Sequence, residues 1–261
     1  EDMSLESIWA DNVNETKWKF NIPTLRRRVE GVTGGHFVVV GARPNTGKTS
    51  FHASIIASPH GFAEQGARCL VLCNEEPPKI VRARYSCAGT GMILKEQEAN
   101  PSKANMKYAK VKPNISLVDS TGEEMSWVET AIKTDKPDIV ILDMGHKFAA
   151  RTSDKTDVYL KDAAIHARNL AKQYNCVIFW MTQLSASAEG LATPDQSMIE
   201  GSRTGLAAEA DLMILIAKNR VVEGAEMEDE ERHLNIAKNK ISGFHGRITC
   251  QLAGDIAQYT A

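Results

Sequence analysis

The sequence lacks any apolar run approaching the roughly 18 residues of a membrane-spanning helix, and no signal peptide is recognisable in it. Its five cysteines form no Cys-x-x-Cys pair, which argues against a zinc site. Their number is odd and several stand in apolar segments, where cysteine behaves as a small hydrophobic residue rather than as half of a disulfide. The first residue is Glu1 rather than methionine, so we expect a trimmed N-terminus. We expect a cytoplasmic protein with no membrane partner.

A surplus of positive charge is also lacking. Lysine and arginine number 31 against 33 aspartates and glutamates, which gives a net charge of −2. Nucleic-acid binding would therefore need local basic loops or a central surface built by oligomerisation. The composition, 43% hydrophobic and 25% charged, is that of a folded protein. A chain of 261 residues suffices for one large α/β domain or two small ones.

Short apolar runs alternate with segments of helical periodicity along most of the chain. We predict strands at 37–40, 68–73, 115–119, 138–143 and 176–183, with helices at 50–57, 79–88, 123–133 and 156–174. Further strands are predicted at 211–217, 233–240, 247–252 and 256–260, with the acidic stretch 223–231 as an exposed loop. The alternation predicts an α/β fold with a mostly parallel sheet, helices on both faces and antiparallel C-terminal strands.

Residues 1–20 show no core periodicity, and we interpret them as an N-terminal linker or docking arm ahead of a single domain over 21–261. The loop over 184–203 is too long to be a mere connection.

One segment combines a strand, a glycine-containing loop and a helix start. The apolar run 37–40 leads into Gly-Ala-Arg-Pro-Asn-Thr-Gly-Lys-Thr at 41–49. Such a loop offers backbone N–H groups to a polyphosphate, with Lys48 reaching the β- and γ-phosphates and the Thr49 hydroxyl holding Mg²⁺. Ala42 replaces the first glycine of the strict pattern, so only its relaxed form is met, and a glycine-rich turn is the structural alternative. The predicted nucleotide-binding residues are Ala42, Arg43, Pro44, Asn45, Thr46, Gly47, Lys48, Thr49 and Ser50.

Three further strand ends carry polar residues, and ligands of open parallel sheets bind at such ends. Asp143 closes an apolar strand, where an aspartate can hold Mg²⁺ through water or cap a helix. Glu75, followed by Glu76, can activate the attacking water or form an acidic pair in a helix's first turn. Gln183 can sense the γ-phosphate and relay its presence to the next loop, or be an ordinary polar strand end.

The order of these motifs resembles the RecA-like motor domain of hexameric replicative DNA helicases, the DnaB-type family of superfamily four. The similar segments are Asn-Ile-Pro-Thr-Leu at 21–25, Ala-Arg-Pro-Asn-Thr-Gly-Lys-Thr at 42–49, Asn-Glu-Glu-Pro at 74–77, Thr-Gln-Leu at 182–184 and the segment 200–211. The likeness covers about 21–259. It implies a RecA-like P-loop NTPase that uses ATP and Mg²⁺, and it favours Glu75 over Glu76 as the catalytic glutamate.

The resemblance further implies self-association as a hexameric ring on single-stranded DNA, with primase or other replisome proteins as partners. It implies an ATP site completed in trans by a Lys-x-Arg pair, at whose place this chain has Lys238 and Lys240. Lysine keeps the charge but lacks the guanidinium fork. Because an arginine finger supplies about 10³–10⁵ in rate, we expect weaker hydrolysis. Alternatively, both lysines could be ordinary solvated charges on an exposed strand.

Basic residues in two loops are the candidate DNA contacts. Lys147, Arg151 and Lys155 follow Asp143, while Arg203 lies in the loop after Gln183. The family has a basic residue where this chain has Glu200, so the side chain that contacts DNA in this loop stays open. Aromatic residues for base stacking are scarce, with Phe148 the one nearby candidate, so phosphate contacts should dominate. Each of these charges could also be an ordinary solvated one.

The sequence thus predicts an ATP-dependent DNA helicase motor. A recombinase of the RecA type, or a non-motor ATP-gated DNA-binding or loading protein, is the alternative. Unwinding of a forked duplex would distinguish the helicase from both.

Overall fold

The structure is a computed structural model that describes residues 4–15, 17–150, 156–201, 205–219 and 230–261. Its strands are β1 (Lys17–Lys19), β2 (Gly31–Thr33), β3 (Phe37–Ala42), β4 (Cys69–Cys73), β5 (Ile115–Asp119), β6 (Ile139–Asp143), β7 (Val177–Gln183), β8 (Leu212–Ala217), β9 (Glu231–Asn239), β10 (Gly246–Ala253) and β11 (Gln258–Thr260). Its helices are α1 (Leu5–Asn14), α2 (Pro23–Val29), α3 (Lys48–Ala57), α4 (Pro78–Thr90), α5 (Leu94–Ala99), α6 (Pro101–Tyr108), α7 (Met125–Asp135), α8 (Thr156–Gln173) and α9 (Gly205–Glu209).

The central sheet has, within these described ranges, nine strands in the order β11-β10-β9-β8-β3-β7-β6-β4-β5. The strands from β8 to β5 run parallel, whereas β9, β10 and β11 extend the sheet antiparallel. Strands β3, β4 and β6 are buried along their whole length, which explains their continuous apolar sequences. The predicted α/β architecture is confirmed.

The two faces of the sheet carry separate cores. Alternation along β3 sends Val38 and Val40 into one core and Phe37 and Val39 into the other. Helices α2, α3 and α4 cover the first face, and α7, α8 and α9 cover the second. All five cysteines are buried and unbridged, as expected. None of the helices in the described ranges has the length and apolar character to traverse a bilayer.

The first residues are more structured than the sequence suggested. Strand β1 pairs antiparallel with β2, and Phe20 is fully buried in the first core. The signal was weak because Phe20 packs against residues distant in the chain, such as Phe62, which leaves no local periodicity. The domain boundary at residue 20 stays a prediction. Most of the acidic stretch 223–231 lies outside the described residues.

Candidate nucleotide site and the opposite sheet edge

The phosphate loop joins β3 to α3 at the edge where the parallel strands end. Gly47 has φ of 106° and Asn45 has φ of 58°, conformations that favour glycine and asparagine. The first N–H groups of α3 have no partner within the helix and carry its positive dipole end. The loop therefore has the geometry of an anion-binding helix N-terminus.

The antiparallel strands support this loop from behind. The Arg232 Nε donates a hydrogen bond to the Thr46 carbonyl at 2.9 Å, and the Tyr259 hydroxyl donates to the Gly47 carbonyl at 3.1 Å. A Cβ added at Gly47 would lie 2.6 Å from the Tyr259 hydroxyl oxygen. Sequence reasoning missed Arg232 and Tyr259, because nothing local marks strand residues whose contact is made across the sheet.

A cavity of about 390 Å³ opens over the loop. Ten of its lining residues were predicted from the sequence, namely Ala42, Arg43, Pro44, Asn45, Gly47, Lys48, Thr49, Ser50, Glu75 and Gln183. Glu76, Arg84, Arg232, Leu252 and Gly254 complete the lining. Thr46 and Asp143 are buried behind it. The strand ends that the sequence singled out therefore do meet in one place.

Lys48 is the centre of an ionic network in this cavity. Its Nζ lies 2.6 Å from Glu75 Oε2 and 3.2 Å from Asp143 Oδ1, and it also contacts the Met144 sulfur. The Gln183 amide donates to Glu75 Oε1 at 3.1 Å. One ammonium thus contacts two carboxylates, and its side chain is only 9% exposed.

The two neighbouring glutamates have different partners. Glu75 contacts Lys48 and Gln183, whereas Glu76 pairs with Arg84 of α4. The α4 start at Pro78 follows directly, so the Glu-Glu pair precedes the helix rather than standing in its first turn. The geometry favours Glu75 for chemistry at the phosphate loop.

Behind Lys48, a buried polar chain contacts Asp143. The His52 Nε2 lies 3.3 Å from Asp143 Oδ2, and the His52 Nδ1 lies 2.9 Å from the Tyr85 hydroxyl. Burial alone would raise the pKa of Asp143, but the His52 hydrogen bond and the charges of His52 and Lys48 outweigh it and hold this pKa below its usual range. The sequence analysis did not single out His52 or Tyr85.

The donor set fits Mg²⁺. Among the described residues, Asp143 Oδ1 faces only the Lys48 ammonium, whose Nζ lies 3.2 Å away. Thr49 lines the cavity at the second residue of α3. A carboxylate oxygen and a hydroxyl beside a phosphate site are the oxygen ligands that Mg²⁺ takes, usually with water and substrate phosphates completing the shell.

Lys238 and Lys240 lie at the opposite edge of the sheet, away from the chain's own cavity. Lys238 pairs with Met213 near the start of β8, and its Nζ donates to the carbonyls of Ala207 and, at 3.0 Å, Ala208. Burial, followed by repulsion from Lys240, lowers the Lys238 pKa. Lys240 is half exposed, with its Nζ 3.9 Å from Asp211 Oδ1.

The candidate DNA loops are partly described. Lys147 is exposed, and its Nζ donates to the Asn74 carbonyl at 3.1 Å. Arg151, Lys155 and Arg203 lie outside the described residues. Phe148 was wrongly considered for base stacking, because it is fully buried in the second core.

Arg43 links the phosphate loop to the loop after Gln183 through an ion pair with Glu189 at 2.9 Å.

Comparisons with known proteins agree with this architecture. A solved ATPase domain shares 18% identity with this chain at a TM-score of 0.82, covering 100% of this chain and 99% of its own. A solved DnaB-like replicative helicase, described together with its interactions with primase, shares 17% identity at a TM-score of 0.85, covering 99% of this chain and 68% of its own. These likenesses support the RecA-like fold.

At the level of sequence, no curated protein matches the chain. The family model for the DnaB-like helicase C-terminal domain matches residues 19–261. The chain therefore belongs to the family of the DnaB-like helicase C-terminal domain.

Proposed function

We propose that this chain binds Mg-ATP over the phosphate loop and hydrolyses it to drive movement along single-stranded DNA. The observation that carries the proposal is the convergence of Lys48, Glu75, Asp143 and Gln183 at one sheet edge. Neither the recombinase nor the loading protein gains support from a specific feature of the described residues.

The backbone N–H groups of the loop and of the start of α3 bind the phosphates. Lys48 exchanges its contact with Glu75 for one with the β- and γ-phosphates, because polyphosphate carries more negative charge than one carboxylate. Glu75 is thereby released to accept a proton from the attacking water. Thr49 and, through water, Asp143 would hold Mg²⁺, which supplies neutralisation of the phosphate charge.

Gln183 couples the chemistry to the next loop. Its amide contacts Glu75, and its carbonyl accepts a hydrogen bond from the Glu200 backbone N–H at 3.0 Å. When Lys48 leaves Glu75 for the phosphates, the hydrogen bond between Gln183 and Glu75 breaks or changes direction. The conformation of the loop over 184–201 then changes with Gln183. The ion pair between Arg43 and Glu189 gives the phosphate loop a second connection to the same segment.

DNA contact is assigned to the loops that begin at this sheet edge, with Lys147, Arg151, Lys155 and Arg203 binding phosphates. Lys147 also contacts Asn74, which directly precedes Glu75. Substituting a phosphate-binding lysine should weaken binding across all sequences and flatten the salt dependence.

The site is completed by a second copy of the chain in a ring. Lys240, with Lys238 behind it, lies away from its own cavity and would reach the γ-phosphate of the neighbouring subunit. Such a head-to-tail contact closes into a ring when its rotation permits. Primase is proposed as a further partner of the assembled ring.

Glu75→Gln is the decisive variant for the chemistry. It keeps the shape and one hydrogen-bonding oxygen but removes the base, so ATP turnover should fall about 10²–10⁴-fold while ATP binding persists. Glu76→Gln is the matched control, since Glu76 pairs with Arg84, and it should retain most turnover. Full turnover in Glu75→Gln would remove Glu75 from this role.

Motor function is tested by adding DNA to the wild-type chain. Turnover should rise with single-stranded DNA, and a forked duplex should be unwound in the presence of ATP and Mg²⁺. Strand pairing without unwinding would instead indicate a recombinase. ATP turnover that does not change when DNA is added would indicate a loading protein.

A further inference from the structure

Three buried polar side chains form a chain behind the candidate metal ligand. Asp143 ends β6, His52 lies in α3 and Tyr85 lies in α4, and their side chains are 0–1% exposed. His52 contacts Asp143 Oδ2 at 3.3 Å and the Tyr85 hydroxyl at 2.9 Å. The contacts join three elements at a single histidine.

The direction of these hydrogen bonds follows from the chemistry of the groups. An ionised carboxylate only accepts, so His52 Nε2 donates to Asp143 Oδ2. The second hydrogen bond joins His52 Nδ1 to the Tyr85 hydroxyl; the ring nitrogen accepts in a neutral imidazole and donates in a protonated one, and either way the bond fixes the ring. Burial raises the pKa of Tyr85 well above its usual range, so the hydroxyl keeps its proton.

The two oxygens of Asp143 are thereby distinguished. Oδ2 is bound to His52, while Oδ1 faces the Lys48 ammonium at 3.2 Å and has no other partner among the described residues. A carboxylate held through one oxygen cannot rotate freely about its χ2 angle. The other oxygen is therefore presented to the phosphate loop in one orientation.

We propose that His52 is a positioning residue for Asp143, and that Tyr85 fixes the His52 ring. The inference rests on the proposed function, because it assigns Asp143 to the Mg²⁺ of bound ATP. Groups that orient metal-binding side chains typically contribute 10–100-fold in metal affinity or activity. Through Tyr85, the orientation of Asp143 is also tied to α4, which carries Arg84 at the cavity.

A purely structural role for His52 predicts something different. Buried polar groups are normally hydrogen-bonded wherever they occur, so loss of His52 would lower stability alone. Positioning instead predicts a change in how ATP binding depends on Mg²⁺. The two roles therefore separate in a binding measurement that needs no turnover.

The experiment titrates Mg²⁺ against binding of a fluorescent ATP analogue to the wild-type chain and to His52→Leu. We expect the leucine variant to need about 10–100-fold more Mg²⁺ for half-maximal binding, with the weak binding in EDTA unchanged. His52→Gln should recover part of the loss, since its amide N–H can replace Nε2–H. Urea unfolding of each variant reports stability separately.

Two further variants keep the test decisive. Tyr85→Phe removes only the hydroxyl and should shift the Mg²⁺ midpoint a few-fold in the same direction, even if His52→Leu does not fold. Ser54→Ala is the matched control, because Ser54 is equally buried in α3 but accepts from the Tyr259 N–H instead. It should lose stability without changing the Mg²⁺ midpoint.

The outcomes separate this inference from the function on which it rests. If the wild-type chain binds the analogue with no Mg²⁺ dependence, the proposed Mg-ATP site is wrong. If the wild type shows the dependence and both folded His52→Leu and Tyr85→Phe match it, Mg-ATP binding stands and His52 has no positioning role.

Discussion

The two edges of the sheet each hold a buried aspartate beside cationic side chains, yet their hydrogen bonding differs. Asp211, at the edge where the parallel strands begin, accepts from the Phe37 N–H at 3.0 Å through Oδ2 and from Arg168 at 3.1 Å through Oδ1. Asp143, at the edge where the parallel strands end (the nucleotide edge), has Oδ2 bound to His52, while Oδ1 faces only the Lys48 ammonium at 3.2 Å among the described residues. Asp211 has both oxygens held by hydrogen bonds within the fold, whereas Asp143 has one oxygen that meets only an ammonium aimed at the phosphate loop and could exchange it for a ligand.

The lysines of the two edges differ in the same way. Lys48 is 9% exposed and already contacts two carboxylates, while the Lys240 side chain is 51% exposed beside Asp211. The nucleotide edge has the residues for phosphate binding, and the opposite edge has a cation that does not reach its own cavity. We infer that the two edges are halves of one site, brought together between copies of the chain.

The largest effect that separates the edges is expected from Lys48→Ala. Removing this ammonium takes away the charge aimed at the phosphates and leaves Glu75 and Asp143 converging without it, so turnover should fall about 10²–10³-fold or more and ATP affinity should fall as well. Steady-state turnover and a binding titration measure the two losses. Lys107→Ala is the control, since Lys107 bonds the Thr90 carbonyl. Turnover near wild type in Lys48→Ala would contradict the site.

A smaller effect tests the opposite edge by mixing subunits. Lys240→Ala alone should lower turnover about tenfold, less than a full arginine finger contributes, without weakening ATP binding. An equal mixture with Glu75→Gln should recover turnover at about a quarter of the interfaces, where an intact cavity meets an intact Lys240 in a head-to-tail ring. Turnover of the mixture is compared with that of each variant.

The control mixture combines Glu75→Gln with Lys48→Ala. Both substitutions lie in the same half of the site, so no pairing of these subunits builds an intact interface. Recovery in the control mixture, or none with Lys240→Ala, would mean that Lys240 does not act across subunits.

The residues of the nucleotide site were predicted better from the sequence than the residues that hold them in place, for a physical reason. Ligands of a parallel sheet bind at the carboxyl ends of its strands. The sequence alone could therefore place together the residues that follow such ends, namely Lys48, Glu75, Asp143 and Gln183. Their meeting in one cavity follows that rule.

The supporting contacts are long-range and leave no local pattern. His52 stands in a helix among apolar residues and resembles a core position, and its partner Tyr85 comes from another helix. Arg232 and Tyr259 reach the phosphate loop because β9 to β11 extend the same sheet antiparallel beyond β8. Likewise, the burial of Phe148 depends on a turn after β6 that its surrounding basic residues did not indicate.

Gly145→Ala and Gly34→Ala compare the packing of the two edges. A Cβ at Gly145 would lie 2.2 Å from the Trp180 indole, and one at Gly34 would lie 2.2 Å from Asn175 Oδ1. Each overpacked variant should lose about 1–3 kcal/mol of unfolding free energy, measured in urea. Because Gly145 follows Asp143 by two residues, Gly145→Ala should also lower turnover, whereas Gly34→Ala should not. Equal losses of turnover in the two variants would mean that packing at the nucleotide edge has no special effect on catalysis.

The smallest expected difference concerns two thiols, Cys73 at the nucleotide edge and Cys176 at the opposite edge. Burial, with lesser contributions from nearby carboxylates such as Asp143, raises the pKa of Cys73 to about 12, and burial likewise raises that of Cys176 to about 12. Alkylation in native buffer at pH 8, read by mass spectrometry, should therefore be slow and equal at both, because the thiolate is the reactive form. Urea should make both reactive.

The pH dependence has a definite sign. In the unfolded chain these thiols lose their protons near their ordinary pKa of 9.0, but in the folded chain they keep them to about 12. The stabilising contribution is complete below pH 9.0 and declines as the pH rises toward 12. If Cys73 alone reacted quickly at pH 8, and Mg-ATP slowed it, the nucleotide edge would open independently of the sheet. The two edges would then differ in local stability as well as in chemistry.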